Sequence, residues 1–313
     1  MTRPRTDSTA TAGASGRAMD RDDRRRSAEH NRFSGAIRTR RMDAPDGDWR
    51  LIREEARSGP MQMALDEVAA DTAAEGGPWT VRVYRWDPSC LTMGYRQDPG
   101  TVDWEWCEAN GVDVTRRQTG GGGIYHDVVG DIAYSIAVPA DVVPGELLEC
   151  YHQLCEPILD FFSRIGIDAD YVAESLPEIH HPACYLRELH PAHDVVAGPA
   201  DDRRKIAGNA QYRRNDAVIQ HGSLTFSVDA ERHLGVFDDP PIGPDGFRDR
   251  VVGMDELVDL DRAEVVETLE ETLAEWASAA EGSWTEAELS RARERADEKY
   301  RSDSWVHEQP GSR

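Results

Sequence analysis

Arg116-Arg117-Gln118-Thr119-Gly120-Gly121-Gly122-Gly123-Ile124-Tyr125-His126-Asp127 is the stretch on which the reading of this chain turns. Four consecutive glycines are costly, because glycine loses more backbone entropy on folding than any other residue. They suit a place where a ligand must lie against bare backbone and its N–H groups. No Gly-Lys-Ser/Thr follows, so this is not a Walker phosphate loop. Spacing and flanks do not fit a dinucleotide-binding turn either. Residues 112–116 read as a strand leading in, and residues 132–138 as a buried strand leading out. A flexible hairpin is the plain alternative. The arginines before the glycines and His126 and Asp127 after them favour a ligand site.

A second peptide adds weight: Lys205-Ile206-Ala207-Gly208-Asn209-Ala210-Gln211. The chain holds 34 arginines and two lysines, Lys205 and Lys299. Arginine would serve at position 205 if only charge were needed. A compact ammonium on a flexible stem does different chemistry from a planar guanidinium, so Lys205 is expected to touch substrate.

The balance of 36 basic against 59 acidic residues, a net charge of −23, argues against non-specific nucleic-acid binding and against an anionic membrane surface. No apolar run approaches the ~18 residues of a membrane span, and the arginine-bearing N-terminus lacks the apolar core of a secretory signal. A cytoplasmic protein is expected. Strong acidity with almost no lysine suits concentrated salt, where self-repulsion is screened within ~3 Å; an ordinary acidic enzyme from an arginine-rich genome is the alternative. The five cysteines (90, 107, 150, 155 and 184) contain no Cys-x-x-Cys pair and are no disulfide framework.

Residues 1–45 stand apart. Through Met42 there are 11 arginines against five acids, leaving 25 basic and 54 acidic residues, a net of −29, for the rest. A basic leader this poor in large apolar residues is expected to be disordered; alternatively translation starts at Met42. The catalytic domain is expected over residues 46–313. The folded part is expected to open near Trp49, and Met61, Leu65, Val68 and Ala69 recur at helical spacing with acids on the other face. Strands are expected over 80–86, 90–97 (broken at Gly94) and 217–226. Helices are expected over 103–110, along the Leu147–Phe162 stripe (with Cys155 as a core residue), and around Val265–Trp276. Thr285 and Glu288 form a capping box for a last helix. Residues 176–204 read as one long loop, rich in Pro, His, Asp and Gly. Irregular mixing of strands and helices predicts an α+β fold with a mixed, largely antiparallel sheet and packed helices.

The first peptide resembles the R-R-x-T-G-G-G-x-x-x-H-D signature of the lipoate–protein ligase A and octanoyltransferase family. Lys205 to Gln211 resembles its K-I-x-G-x-A-Q signature, and Gln220-His221-Gly222-Ser223-Leu224 is similar to its x-H-G-[ST]-L. Trp49 to Ile52, Met63 to Glu67, Trp86-Asp87-Pro88 and Met93 to Gln97 extend the likeness, which runs from about residue 49 to Trp305. The resemblance implies a fold shared with the catalytic domain of biotin ligases, although the biotin-type Gly-Arg-Gly-Arg loop is absent. It implies that Arg116, Arg117, Thr119, Gly120 to Gly123, His126, Asp127, Gly208 to Gln211, His221 and Gly222 bind substrate. Lys205 would polarise the acyl carbonyl or hold an adenylate phosphate. The acceptor would be a lysine of a lipoyl domain in 2-oxoacid dehydrogenase or glycine cleavage proteins.

Cys184 separates two chemistries within that family. One octanoyltransferase branch carries Pro-x-Cys-[Phe/Tyr] ahead of the lysine motif, and Pro182-Ala183-Cys184-Tyr185 stands here, with Cys184 21 residues before Lys205. A thiolate is both a strong nucleophile and a good leaving group, suited to taking octanoate from acyl carrier protein as a thioester without any cofactor. Backbone amides near Gly121 to Gly123 would join Lys205 around the oxyanion. The alternative is a lipoate ligase using ATP and Mg2+. Ligases carry an Asn-Asp pair where this chain has His193-Asp194, and bacterial ligases add a small accessory domain, which could here be a separate subunit. Two non-enzymatic readings remain. His181, Cys184, His190 and His193 could staple the loop around zinc, although no metal site is expected. An inactive acyl-binding module could also have kept the pocket.

Overall fold

The computed structural model of the protein describes residues 42–308, and no helix among them is long and apolar enough to cross a membrane. The expected leader lies outside the described residues except for its last four. Those four are docked: Trp276 Nε1 donates to the Met42 carbonyl, Gln153 Nε2 to that of Asp43 and Trp49 Nε1 to that of Pro45. Residues 42–45 thus contact the folded domain.

In chain order the elements are β1 (Trp49–Arg57), α1 (Gly59–Ala74), β2 (Trp79–Trp86), β3 (Cys90–Met93), α2 (Trp104–Ala109), β4 (Asp113–Arg116), β5 (Ile124–His126) and β6 (Asp131–Pro139). There follow α3 (Leu147–Arg164), β7 (Ala169–Tyr171), β8 (Asp194–Ala197), β9 (Arg204–Arg213), β10 (Ala217–Thr225), α4 (Ala230–Gly235) and α5 (Pro244–Arg248). Last come α6 (Arg262–Ala277), β11 (Ala280–Glu281), α7 (Glu286–Arg295) and α8 (Asp303–Val306). The large sheet runs β11-β1-β2-β6-β10-β9-β8-β7 and a small one runs β4-β3-β5. In the large sheet β1 is parallel to β2 and β11, and every other pairing is antiparallel. The fold is α+β with a mixed, largely antiparallel sheet.

β6 shows how the sheet is covered on both faces. Ile132, Tyr134, Ile136 and Val138 enter one core with residues of α3 and α6, while Ala133 and Ala137 enter another with α1. The small side chains on the second face let α1 lie close. That closeness overturns the expected solvent face of α1. Asp66 and Glu67 are buried, because α1 is pressed between the sheet and the C-terminal helices. Each carboxylate has a compensating cation, Arg82 at 2.7 Å for Asp66 and Lys299 at 2.5 Å for Glu67, as buried charge requires.

The expected loop over 176–204 also needs correction. It contains β8, whose four residues are all buried. A strand buried on both faces shows no polar alternation, and its flanking Pro, His and Gly hid it. The capping box at Thr285 forms: its N–H and hydroxyl meet Glu288, whose N–H returns to the Thr285 hydroxyl.

Candidate active site

A cavity of about 390 Å3 opens among β2, β3, the glycine loop, β9, β10 and the 176–193 loop, within the range of about 300–1,000 Å3 usual for small-molecule sites. Its apolar lining includes Met63 of α1, Tyr84 and Trp86 of β2, Ile124 and Tyr151. Its polar lining includes Cys184, Lys205 and Asp194.

A β-bulge puts Lys205 there. Asp194 pairs with Gly208 and Val195 with Ala207, but Val196 pairs with Lys205, so Ile206 is the extra residue. Ile206 and Ala207 both pack into the core. Lys205 is thereby turned to the face of Gly208 and Asp194; strict alternation would have placed it with Ala207. Its Nζ lies 2.7 Å from Asp194 Oδ1, 3.3 Å from the Cys184 carbonyl and 3.9 Å from Cys184 Sγ. Gly208 leaves room for it: a Cβ there would sit 3.3 Å from Lys205 Cε. Burial disfavours the ammonium, but the Asp194 carboxylate and the neighbouring Cys184 together outweigh it and hold the Lys205 pKa above the usual lysine range. Burial likewise works against the Asp194 charge, and Lys205 then His193 bring its pKa well below the usual carboxylate range.

The glycine loop does two jobs. Gly120 and Gly121 line the cavity, and Gly121 has φ +95°. Gly122 and Gly123 do not line it. They receive the cysteine loop instead: Gly123 N–H donates to the Pro182 carbonyl at 2.6 Å and Cys184 N–H donates to the Gly123 carbonyl at 2.8 Å. The Gly123 amide is thus engaged with Pro182, and of the oxyanion donors expected at Gly121 to Gly123 only Gly121 lines the cavity. Arg117 stiffens the loop from beneath, donating to the carbonyls of Thr92, Gly120 and Gly122 and to Thr119 Oγ1.

Two histidines are locked into matching arrays. His221 Nδ1 lies 3.1 Å from Asp66 and its Nε2 3.0 Å from Thr119 Oγ1. His126 Nδ1 lies 2.8 Å from Asp131 and its Nε2 2.9 Å from Thr92 Oγ1, with Trp86 stacked on the ring. Carboxylates accept, so each Nδ1 donates and each Nε2 accepts from a threonine when the ring is neutral. Burial is the main influence on His126 and lowers its pKa.

Of the remaining sequence candidates, Thr119, Asn209, Ala210, Gln211 and Gly222 line the cavity and Arg116 and Asp127 do not. Arg116 is caged: its guanidinium donates to the carbonyls of Gly94, Tyr95, Gln97, Trp305 and Val306. Asp127 accepts from the N–H groups of Val129 and Gly130 and from Tyr125 OH, closing the turn before β6. Both were expected to bind substrate; a dense set of internal partners uses their hydrogen-bonding capacity instead. The zinc set does not assemble: His181 pairs with Glu178, and no group of three candidate ligands gathers among the described residues. Sequence reasoning missed Asp66, Asp131, Tyr151 and Thr92. Asp66 and Glu67 carried a signal, two adjacent acids amid apolar residues in a helix that holds Asp71 as its only other charge.

Residues 58–274 match the lipoyl protein ligase A/B catalytic domain. The octanoyltransferase LipM of Kyrpidia tusciae is 32% identical over 278 residues, 82% of this chain and 97% of the relative. A solved lipoate-protein ligase A bound with ATP is 26% identical, with a TM-score of 0.68 over 84% of this chain and all of the other. A bi-partite lipoate protein ligase structure from Thermoplasma acidophilum, 24% identical, shares the fold with a TM-score of 0.69 over 86% of this chain and 99% of the other. The chain belongs to the lipoyl protein ligase A/B catalytic domain family.

Proposed function

We infer that this member of the family is an enzyme attaching a C8 acyl group to a lysine of lipoyl domains, and that it works as an octanoyltransferase through Cys184. The observation that carries this reading is Cys184 Sγ, 3.9 Å from the Lys205 ammonium on the wall of the cavity. The likeness to an octanoyltransferase over 97% of that relative supports it. Octanoyl acyl carrier protein supplies the acyl group. The Cys184 thiolate attacks the thioester carbonyl, a new C–S bond forms, and the carrier leaves as a thiolate that takes up a proton. The lipoyl-domain lysine then attacks the enzyme thioester, the C–S bond breaks, and the amide leaves with Cys184 again a thiolate beside Lys205. Both steps use the energy of the incoming thioester, so this cycle needs no cofactor. The acceptors would be lipoyl domains of 2-oxoacid dehydrogenase or glycine cleavage proteins.

Mixing the protein with octanoyl acyl carrier protein should give an adduct heavier by one octanoyl group, released by hydroxylamine and absent in Cys184→Ser. The same variant should lose transfer to a lipoyl domain. Lipoate with Mg-ATP is the contrasting arm. Acylation of the lipoyl domain there, undiminished in Cys184→Ser, would make the protein an ATP-dependent ligase and overturn the thioester reading.

A further inference from the structure

We propose that His193 is the general base that takes the proton from the acceptor lysine in the second half of the cycle. This rests on the thioester reading above. A lysine side chain arrives as an ammonium, with an ordinary pKa of about 10.4, and two protons must leave before it becomes an amide nitrogen. The first can go to solvent. The second leaves as the C–N bond forms and needs an acceptor inside the site.

Lys205 is poorly placed to be that acceptor, because its Nζ is already an ammonium in a buried ion pair with Asp194 at 2.7 Å. Four histidines line the cavity. His126 and His221 are excluded, since each has Nδ1 on a carboxylate and Nε2 on a threonine hydroxyl. In His190, Nδ1 accepts the Ala192 N–H at 3.1 Å. Its other nitrogen therefore carries the hydrogen and offers no lone pair.

His193 is the reverse case. Its Nδ1 faces Asp194 Oδ2 at 3.4 Å, which favours the hydrogen on Nδ1 and leaves the Nε2 lone pair open. Nε2 has no protein partner among the described residues, and the side chain is 37% exposed, where an incoming macromolecule can reach it. The residue is also held. Asn209 donates to the His193 carbonyl through both its backbone N–H and its side-chain Nδ2, and the His190 ring stacks on the imidazole at 5.2 Å. The groups facing it are Asp194, His190, Tyr151 from α3 at 6.1 Å, and Lys205 across the shared carboxylate; Arg187 and Glu188 line the same cavity. Asp194 thus links the two halves of the chemistry, holding the cation with one oxygen and orienting the base with the other. The proton passes from the attacking nitrogen to His193 Nε2 and on to solvent, while the C–S bond breaks and the Cys184 thiolate remains beside Lys205.

His193→Asn keeps a donor toward Asp194 and removes the base. Octanoyl-enzyme is first formed from octanoyl acyl carrier protein, then mixed with a lipoyl domain, and each half is timed separately. Thioester formation should stay within threefold of the unaltered enzyme. Single-turnover transfer to the lipoyl domain should fall about 100-fold or more. His193→Gln should behave the same way, and the stronger nucleophile hydroxylamine should deacylate variant and unaltered enzyme at equal rates. Transfer to the lipoyl domain at an unchanged rate, with thioester formation intact, would overturn the role of His193 alone. Equal slowing of both halves would make His193 a structural support and would also overturn it. A chain that forms no thioester in its unaltered form would remove the cysteine reading, and this one with it.

Discussion

Cys184 and Gly123 are joined backbone to backbone: the cysteine N–H donates to the glycine carbonyl at 2.8 Å, and Gly122, one residue earlier, lies against the Pro182 to Cys184 main chain. The position of the candidate nucleophile is therefore set by main chain rather than by its own side chain. A Cβ on Gly122 would stand 2.6 Å from the Pro182 carbonyl oxygen and 2.8 Å from the Cys184 nitrogen.

Gly122→Ala should push the cysteine loop off its seat. Overpacking of this kind costs about 1–3 kcal/mol, so the fold should survive with a modestly lower Tm. Thioester formation should slow at least tenfold, because small displacements of a nucleophile are heavily penalised. A variant acylated at the normal rate would show that the contact does not position Cys184.

Asp194→Asn leaves Lys205 buried without its counterion. Breaking such a pair costs about 3–5 kcal/mol, read as a lower urea midpoint at pH 7. The pH dependence has a definite sign. Asp194 has a depressed pKa in the folded protein, so its contribution is complete above the unfolded carboxyl pKa of about 3.9 and fades as pH falls toward the folded value. The stability gap between variant and unaltered protein should narrow below about pH 4. A gap that widens toward acid would contradict the ion pair.

Arg116→Lys tests the caging of Arg116. Three donors on one nitrogen cannot reproduce a planar fork that reaches five carbonyls. We expect a loss of about 2–4 kcal/mol and easier proteolysis near Trp305, with the KM for octanoyl acyl carrier protein within twofold of normal. A KM raised tenfold with Tm unchanged would return Arg116 to the substrate site.

Salt should stabilise the body. Residues beyond Met42 carry a net charge of −29, and raising salt from dilute to molar shortens the screening length to about 3 Å, relieving that repulsion. Surface ion pairs such as Arg53 with Glu281 weaken under the same conditions, but exposed pairs contribute only about 0–1 kcal/mol each. Tm should rise over that range; a flat or falling Tm would remove the halophilic interpretation.

Sequence alone determined which peptides matter and the type of fold. The glycine run, the lone lysine of a lysine-poor stretch and the Pro-Ala-Cys-Tyr peptide are local strings, and periodicity marked α3, α6 and β2 because each carries a residue pattern that repeats along the chain. The tertiary structure decided what each residue does. The bulge at Ile206 shifts the side-chain alternation of β9 by one residue, and nothing in the string Lys-Ile-Ala-Gly announces which residue is extra. It alone brings Lys205 to Asp194 and Cys184. Arg116 and Arg117 are neighbours in sequence, yet one is spent on the C-terminal segment and the other on the glycine loop. Such assignments depend on which distant carbonyls come within about 3 Å. A linear sequence does not contain that distance, and only packing of the two sheets and the 176–193 loop supplies it.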